Sequence, residues 1–178
     1  MPGTRRRLGK VHVITGPGKG KTTAAFGLAL RAAGQGLRVC IIQFMKSGET
    51  TGEVRAAKRV KGMQVVQFGT GKIIGPKGPS ERDIALAKEA IEYARAKALR
   101  KSCEVLVLDE INMAVSLGLL SVQEVLDLIS SSSGSVETVL TGRNAPPEFL
   151  EIADYVSYID KMKHPYDKGV RARRGVEW

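Results

Sequence analysis

The chain has 178 residues, of which 43% are hydrophobic, 26% charged and 5% aromatic, with a formal net charge of +10. That length suits one domain with a sizeable apolar core, and no apolar run is long enough to cross a bilayer. The basic residues are spread along the chain and aromatics are scarce, so no base-stacking platform is evident; nucleic acid is not the expected partner, and a polyanionic small ligand or a solvated surface accounts for the charge equally well.

Residues 1–9 read as a flexible basic arm, and residues 10–178 as a single α/β domain ending in a basic tail. No apolar stretch follows the basic start, so no secretory leader is expected. Val11 to Ile14 is short and β-branched, as a buried strand is. Thr15-Gly16-Pro17-Gly18-Lys19-Gly20-Lys21-Thr22-Thr23 follows, and then a helix-forming run from Ala24 to Leu30. A glycine-rich turn between strand and helix aims backbone N–H groups and a helix N-terminus at one point, where an anion can sit. Lys21 adds a positive charge for phosphate oxygens and Thr22 a hydroxyl able to ligate Mg²⁺. The spacing departs from G-x-x-x-x-G-K-[ST] at one place, because Thr15 stands where the first glycine belongs.

The first helix is expected to end near Gly34. Val39 to Phe44 is nearly all apolar, the mark of a strand covered on both faces. A polar connection opens at Lys46-Ser47-Gly48, a short helix is expected over 53–61, and Met63 to Phe68 supplies a third strand. Residues 69–79 show no periodicity and read as a functional or disordered loop; Ile73 and Ile74 either meet an apolar partner or tuck onto the core. Ser80 and Asp83 form a capping box with Asp in place of Glu. It opens a long helix whose Ile84, Ala87, Ile91, Ala94 and Ala98 make one buried stripe.

Val105 to Leu108 reads as a further buried strand, and it ends in Asp109-Glu110, the second chemical landmark. In a parallel sheet these acids reach the carboxyl edge, where ligands bind, beside Thr22 and a bound Mg²⁺. Ser121 and Glu124 form a full capping box, residues 130–134 read as a loop, and Glu137 to Thr141 as a strand leading to Gly142-Arg143-Asn144. Arg143 either reaches phosphate or ribose or is an ordinary surface arginine. Pro146-Pro147 starts a short helix, and residues 154–160 read as a last strand. The tail from Lys161 carries six lysines and arginines and can lie over the active edge. His164 within it is not assigned a catalytic role. Cys40 and Cys103, both in apolar runs, read as core residues of a reducing compartment, the cytoplasm.

Taken together these stretches resemble the P-loop ATP:corrinoid (cob(I)alamin) adenosyltransferases. The resemblance rests on Thr15 to Gly27, I-I-Q-F-M-K ending at Lys46, V-L-D-E at Val107 to Glu110, T-G-R-N-A-P-P at Thr141 to Pro147, and Lys163 to Trp178. It implies a RecA-like P-loop fold, with a mostly parallel central sheet and helices on both faces. It also implies transfer of the 5′-deoxyadenosyl group of ATP to Co(I) of a corrinoid, with triphosphate leaving whole and the nucleotide reversed in its loop relative to hydrolases. Gly16, Pro17, Gly18, Lys19, Gly20, Lys21, Thr22 and Thr23 would hold phosphates; Arg31 and Arg143 would touch the nucleotide. Mg²⁺, with Mn²⁺ as the alternative ion, would sit between Thr22 and Glu110, with Asp109 as a direct or outer partner. Lys21, Thr22 and Glu110 would thus carry catalysis. A reduced flavoprotein as electron donor and a homodimeric state are further implications. Family members often place aromatics in the loop equivalent to residues 69–79, where this chain has Lys72, Ile73 and Ile74. Two other readings use the same loop, an ATPase or kinase cleaving the β–γ bond and a RecA-like nucleic-acid-binding ATPase; their product would be ADP, not triphosphate.

Overall fold

The computed structural model describes residues 8–48, 51–132 and 134–177. In chain order the elements are β1 (Val11–Thr15), α1 (Lys21–Gly34), β2 (Val39–Phe44), α2 (Gly52–Ala57), β3 (Met63–Phe68), α3 (Glu81–Leu99), β4 (Val105–Asp109), α4 (Ile111–Ser116), α5 (Val122–Ser132), β5 (Glu137–Thr141), α6 (Pro147–Ile152) and β6 (Tyr155–Tyr158), followed by a 3-10 turn at Pro165–Lys168. The basic arm expected at the start lies, over residues 1–7, outside the described residues.

The six strands form one sheet in the order β3-β2-β4-β5-β1-β6, and every pairing is parallel. β2 and β4 are buried at every position, because each strand sends alternate side chains to two covered faces. Val39, Ile41, Val105, Val107 and Val139 pack with Ala25, Phe26 and Ala29 of α1 and with Val54 and Ala57 of α2. Cys40, Ile42, Leu106, Leu108 and Leu140 pack instead with Ala87, Ile91 and Ala94 of α3 and with Val125 and Leu128 of α5. Burial pushes the Cys40 thiol up to about 12 and the Cys103 thiol to about 11, so both behave as small apolar residues. Among the described residues no helix is long and apolar enough to cross a membrane.

Several boundaries move. α1 begins at Lys21, three residues before the apolar run, since the glycine loop itself delivers the first turn. α5 runs through Ser132, where a loop was expected from residue 130. Ser131 and Ser132 donate their hydroxyls to the Leu128 carbonyl, and Ser132 is buried, so the serines prolong the helix. α2 stops at Ala57, before the expected 61, and the chain turns through Gly62 at φ 85°. β6 spans 155–158 only; Asp154 before it accepts from the backbone N–H of Val11, and so ties β6 to the start of β1. The 69–79 segment has no helix or strand, and its two isoleucines part company. Ile73 is 98% exposed, whereas Ile74 packs against the core.

Candidate functional site

All six strands end at one edge, so the glycine loop after β1, the turn after β2, the acids after β4 and the arginine after β5 converge there. The loop is shaped by its neighbour as much as by any ligand. A Cβ at Gly16 would lie 2.5 Å from the Ile159 carbonyl oxygen, and one at Gly18 equally close to that of Asp160. Gly18 N–H donates to Ile159 O at 2.8 Å. Thr15, at the missing glycine's place, is the buried last residue of β1; its hydroxyl oxygen accepts from Ala145 N–H at 3.4 Å. Gly20, at φ 122°, starts α1 with no side-chain cap and no acid in the first turn. The first N–H groups of a 14-residue helix are thus left for a ligand. Lys21, buried at the start of α1, donates to the carbonyl oxygens of Gly16 and Gly18, both at 2.7 Å. Burial, and then the repulsion of Arg143, hold its ammonium below the usual lysine range.

Asp109 is fully buried and accepts four hydrogen bonds. Oδ1 receives Thr22 Oγ1 at 2.9 Å and Thr141 Oγ1 at 2.7 Å. Oδ2 receives Gln43 Nε2 and Lys46 Nζ, each at 2.8 Å. Those four donors fill the acceptor capacity of a carboxylate. Burial opposes its ionisation, but the Lys46 charge and the hydrogen bonds outweigh burial and hold the carboxyl below the usual range. Because the Thr22 proton points to Asp109, the Thr22 oxygen acts as an acceptor: Lys46 Nζ donates to it at 3.4 Å, and a lone pair remains for a cation.

Glu110 takes a left-handed backbone at φ 67°, fixed by its N–H donating to Thr141 Oγ1 at 3.0 Å. Its carboxylate lines the cleft, makes no hydrogen bond among the described residues, and is pushed above the usual range, first by burial and further by Asp109. A hydroxyl and a free carboxylate are hard oxygen donors that suit Mg²⁺, which keeps several sites for water or phosphate. No group of three or more His, Cys, Asp and Glu side chains that could hold a metal occurs among the described residues.

The cleft measures about 1150 Å³, above the usual range for a small-molecule site. Residues 17–23 form one wall, with Phe26, Lys46, Glu110, Met113 and Arg143. The tail forms another, through Lys161, His164, Tyr166 and residues 175–177. Lys19 Nζ already donates to Val176 O at 2.9 Å and to Glu177 Oε1 at 3.1 Å. His164 caps the 3-10 turn, accepting from Tyr166 N–H at Nδ1.

Most of the residues singled out in the sequence thus meet here: Pro17 to Thr23, Glu110 and Arg143 line the cleft, Gly16 receives Lys21, and Asp109 lies behind Thr22. Arg31 does not join them. It stands exposed in the last turn of α1, ten residues and so about 15 Å along the helix from Lys21. The 69–79 loop contributes no lining residue either. Gln43, Lys46 and Thr141, to which no spacing in the sequence assigns a role, clasp Asp109 from β2, the turn after it and β5. One signal was present: Gln43 is a polar residue inside an otherwise apolar buried strand, and such a group must have a partner.

Comparison with known proteins agrees with this geometry. The family model described as "ATP:corrinoid adenosyltransferase BtuR/CobO/CobP" matches residues 7–178. A corrinoid adenosyltransferase of a Sinorhizobium species is 35% identical over 176 residues, covering 96% of this chain and 80% of the relative. The Escherichia coli K12 corrinoid adenosyltransferase is 34% identical over 170 residues, covering 96% and 86%. Among solved structures, a KaiC-like protein from the archaeon Pyrococcus horikoshii superposes with a TM-score of 0.58 at 17% identity, over 89% of this chain and 75% of the other, a likeness of fold.

Proposed function

The chain belongs to the ATP:corrinoid adenosyltransferase family, and from that premise we propose how its own residues carry the transfer. The reaction moves the 5′-deoxyadenosyl group of ATP to the cobalt of a reduced corrinoid. Co(I) gives an electron pair to the ribose 5′-carbon, the bond from that carbon to oxygen breaks, and its electron pair leaves with triphosphate. Cobalt ends as Co(III) bearing a carbon–metal bond.

So strong a nucleophile needs no general base. The protein's work is to hold the 5′-carbon in line and to neutralise the charge that gathers on the leaving triphosphate. Residues 19–23 supply backbone N–H donors and the start of α1, Lys19 and Lys21 supply charge, and Arg143 faces them from the end of β5. Thr22 and Glu110 would hold Mg²⁺, with the saturated Asp109 behind them orienting the Thr22 hydroxyl. When bound, the ion would lend charge stabilisation to the triphosphate oxygens. Lys21 and Glu110 are the groups that touch the reacting triphosphate and its metal. Arg31 reaches the nucleotide only if the ligand extends along α1 beyond the cleft wall.

The observation that carries this reading is the joining of a cationic glycine loop to a hydroxyl, Thr22, whose proton is already committed to Asp109. That the tail lines the same cleft supports taking residues 10–178 as one catalytic unit. Free, buried Cys40 and Cys103 suit a reducing cytoplasm. A homodimer and a reduced flavoprotein donor complete the reading on the strength of the family resemblance.

The test is an assay with Mg-ATP and chemically reduced cobalamin. The expected result is the light-sensitive spectrum of an adenosylated corrinoid, with triphosphate as the second product. ADP and phosphate without that spectrum would place the chain among the β–γ-cleaving P-loop enzymes.

A further inference from the structure

Lys46 occupies a position built with unusual care. β2 ends at Phe44, and Met45 then turns the chain in a left-handed backbone at φ 60°, a costly conformation for a long side chain. Met45 N–H donates to Phe68 O at 2.8 Å, across to the end of β3. Gly69 lies so close that a Cβ there would sit 2.2 Å from the Met45 carbonyl carbon and 2.5 Å from the Lys46 nitrogen. One step on, a Cβ at Gly71 would meet the Ser47 hydroxyl at 2.3 Å. The turn after β2 and the start of the 69–79 loop are therefore interlocked, and the interlock sends Lys46 back over the carboxyl edge of the sheet.

There its ammonium lies 2.8 Å from Asp109 Oδ2 and 3.4 Å from Thr22 Oγ1, within electrostatic reach of Glu110, and 30% of its side chain is open to the cleft. Thr22 and Glu110 would hold a divalent cation in the proposed function, and Asp109 lies directly behind Thr22. A fixed positive charge among them offsets two neighbouring carboxylates while no metal is bound, and competes with any metal that approaches alone.

We propose that Lys46 guards the divalent-cation site: in the nucleotide-free protein its ammonium stands in for the metal beside Asp109 and Thr22, and when metal and ATP enter together it turns to the leaving triphosphate. The side chain is partly exposed, on the cleft wall and within a few ångströms of the phosphate loop, so the move needs rotation about its own bonds only. Metal is then admitted with nucleotide and not before it. The inference rests on the assignment of the metal to Thr22 and Glu110, and the experiment separates the two.

The probe is Mn²⁺, titrated by electron paramagnetic resonance into purified protein with and without ATP, alongside steady-state adenosylation. Lys46→Met should bind Mn²⁺ without ATP about tenfold more tightly than the native chain, because a like charge has left the site. The same variant should lose about tenfold or more in kcat, with a smaller change in KM for ATP. Lys46→Arg, which keeps the charge, should bind Mn²⁺ alone as weakly as the native protein. If Lys46→Met does not fold, Lys46→Gln retains a donor to Asp109 without the charge, and the same opposed shifts are expected. Nucleotide-free Mn²⁺ affinity that is unchanged or weaker in the neutral variant overturns the guard, since a purely structural lysine would weaken metal binding and turnover together. Tighter Mn²⁺ binding with undiminished kcat overturns the move to triphosphate. Glu110→Gln tests the underlying assignment separately: unaltered Mn²⁺ affinity with ATP in that variant would place the metal elsewhere.

Discussion

Lys21 and Asp109 are both buried charges, and the chain stabilises them in different ways. Asp109 has a partner on every lone pair. Lys21 has only loop carbonyls, Gly16 O and Gly18 O, so it shapes the empty loop and is free to exchange those acceptors for phosphate oxygens. Lys21→Ala should therefore cut adenosylation by about a hundred- to a thousandfold, the usual loss when one donor to a developing anion is removed. Far-UV circular dichroism should stay unchanged, because the bonds lost lie within the loop and not in the sheet. Near-native turnover would show that the triphosphate departs from some other place. Lys21 was legible in the sequence because its spacing from the glycines encodes its position. Gln43, Lys46 and Thr141 were not, since they reach Asp109 from separate strands, and their meeting depends on β2 and β5 both flanking β4. No spacing along the chain records that adjacency.

Elements were more legible than their ends. The alternation-free runs of β2 and β4 and the stripe along α3 follow from burial, and burial is written in residue type. Helix ends depend on single hydrogen bonds, and the back-bonded serines of α5 show how a polar run can extend a helix that composition would stop. The capping box of α3 has a second duty that the sequence did not reveal. Asp83 accepts from Ser80 N–H at 3.0 Å, and its other oxygen takes the Thr70 hydroxyl at 2.8 Å, which pins the 69–79 loop to the helix start. The Ser80 hydroxyl, then its backbone N–H, then Thr70 hold the Asp83 carboxyl below the usual range. A carboxylate with a depressed native value lends its full stability above the ordinary carboxylate range and loses it as pH falls through that lowered value. Asp83→Ala should thus lower stability at neutral pH by about 1 kcal/mol, the typical cost of a lost helix cap. The gap between native and variant in urea denaturation should narrow as the pH falls below the ordinary carboxylate range. A gap that does not change with pH would mean that the ionised carboxylate is not what holds the helix start.

At the scale of the molecule, the parallel sheet brings the glycine loop after β1 and the tail after β6 to one cleft. β6 pairs with β1, and the residues after it support Gly16 and Gly18 from beneath before the tail crosses above them. Glu177 there accepts from Arg173 N–H at 2.8 Å and Nε at 3.1 Å, and these bonds hold its carboxyl down to about 2, so it stays charged throughout the working pH range. It is also the carboxylate that holds Lys19, together with the Val176 carbonyl. If Lys19 holds a phosphate, as proposed above, the Glu177 carboxylate and the nucleotide compete for one ammonium. With a net charge of +10 the protein attracts ATP at long range, and a local anion occupies Lys19 until the ligand arrives. The pair is partly exposed, and such pairs contribute little, so Glu177→Ala should lower the half-saturating ATP concentration by only about two- to fivefold. Added salt should shrink the difference, since screening weakens the competing pair most. Steady-state adenosylation against ATP at low and high ionic strength would measure both effects. A half-saturating concentration that rises in the variant would instead make the tail part of the nucleotide's binding surface, with Glu177 positioning Lys19 for phosphate and not withholding it.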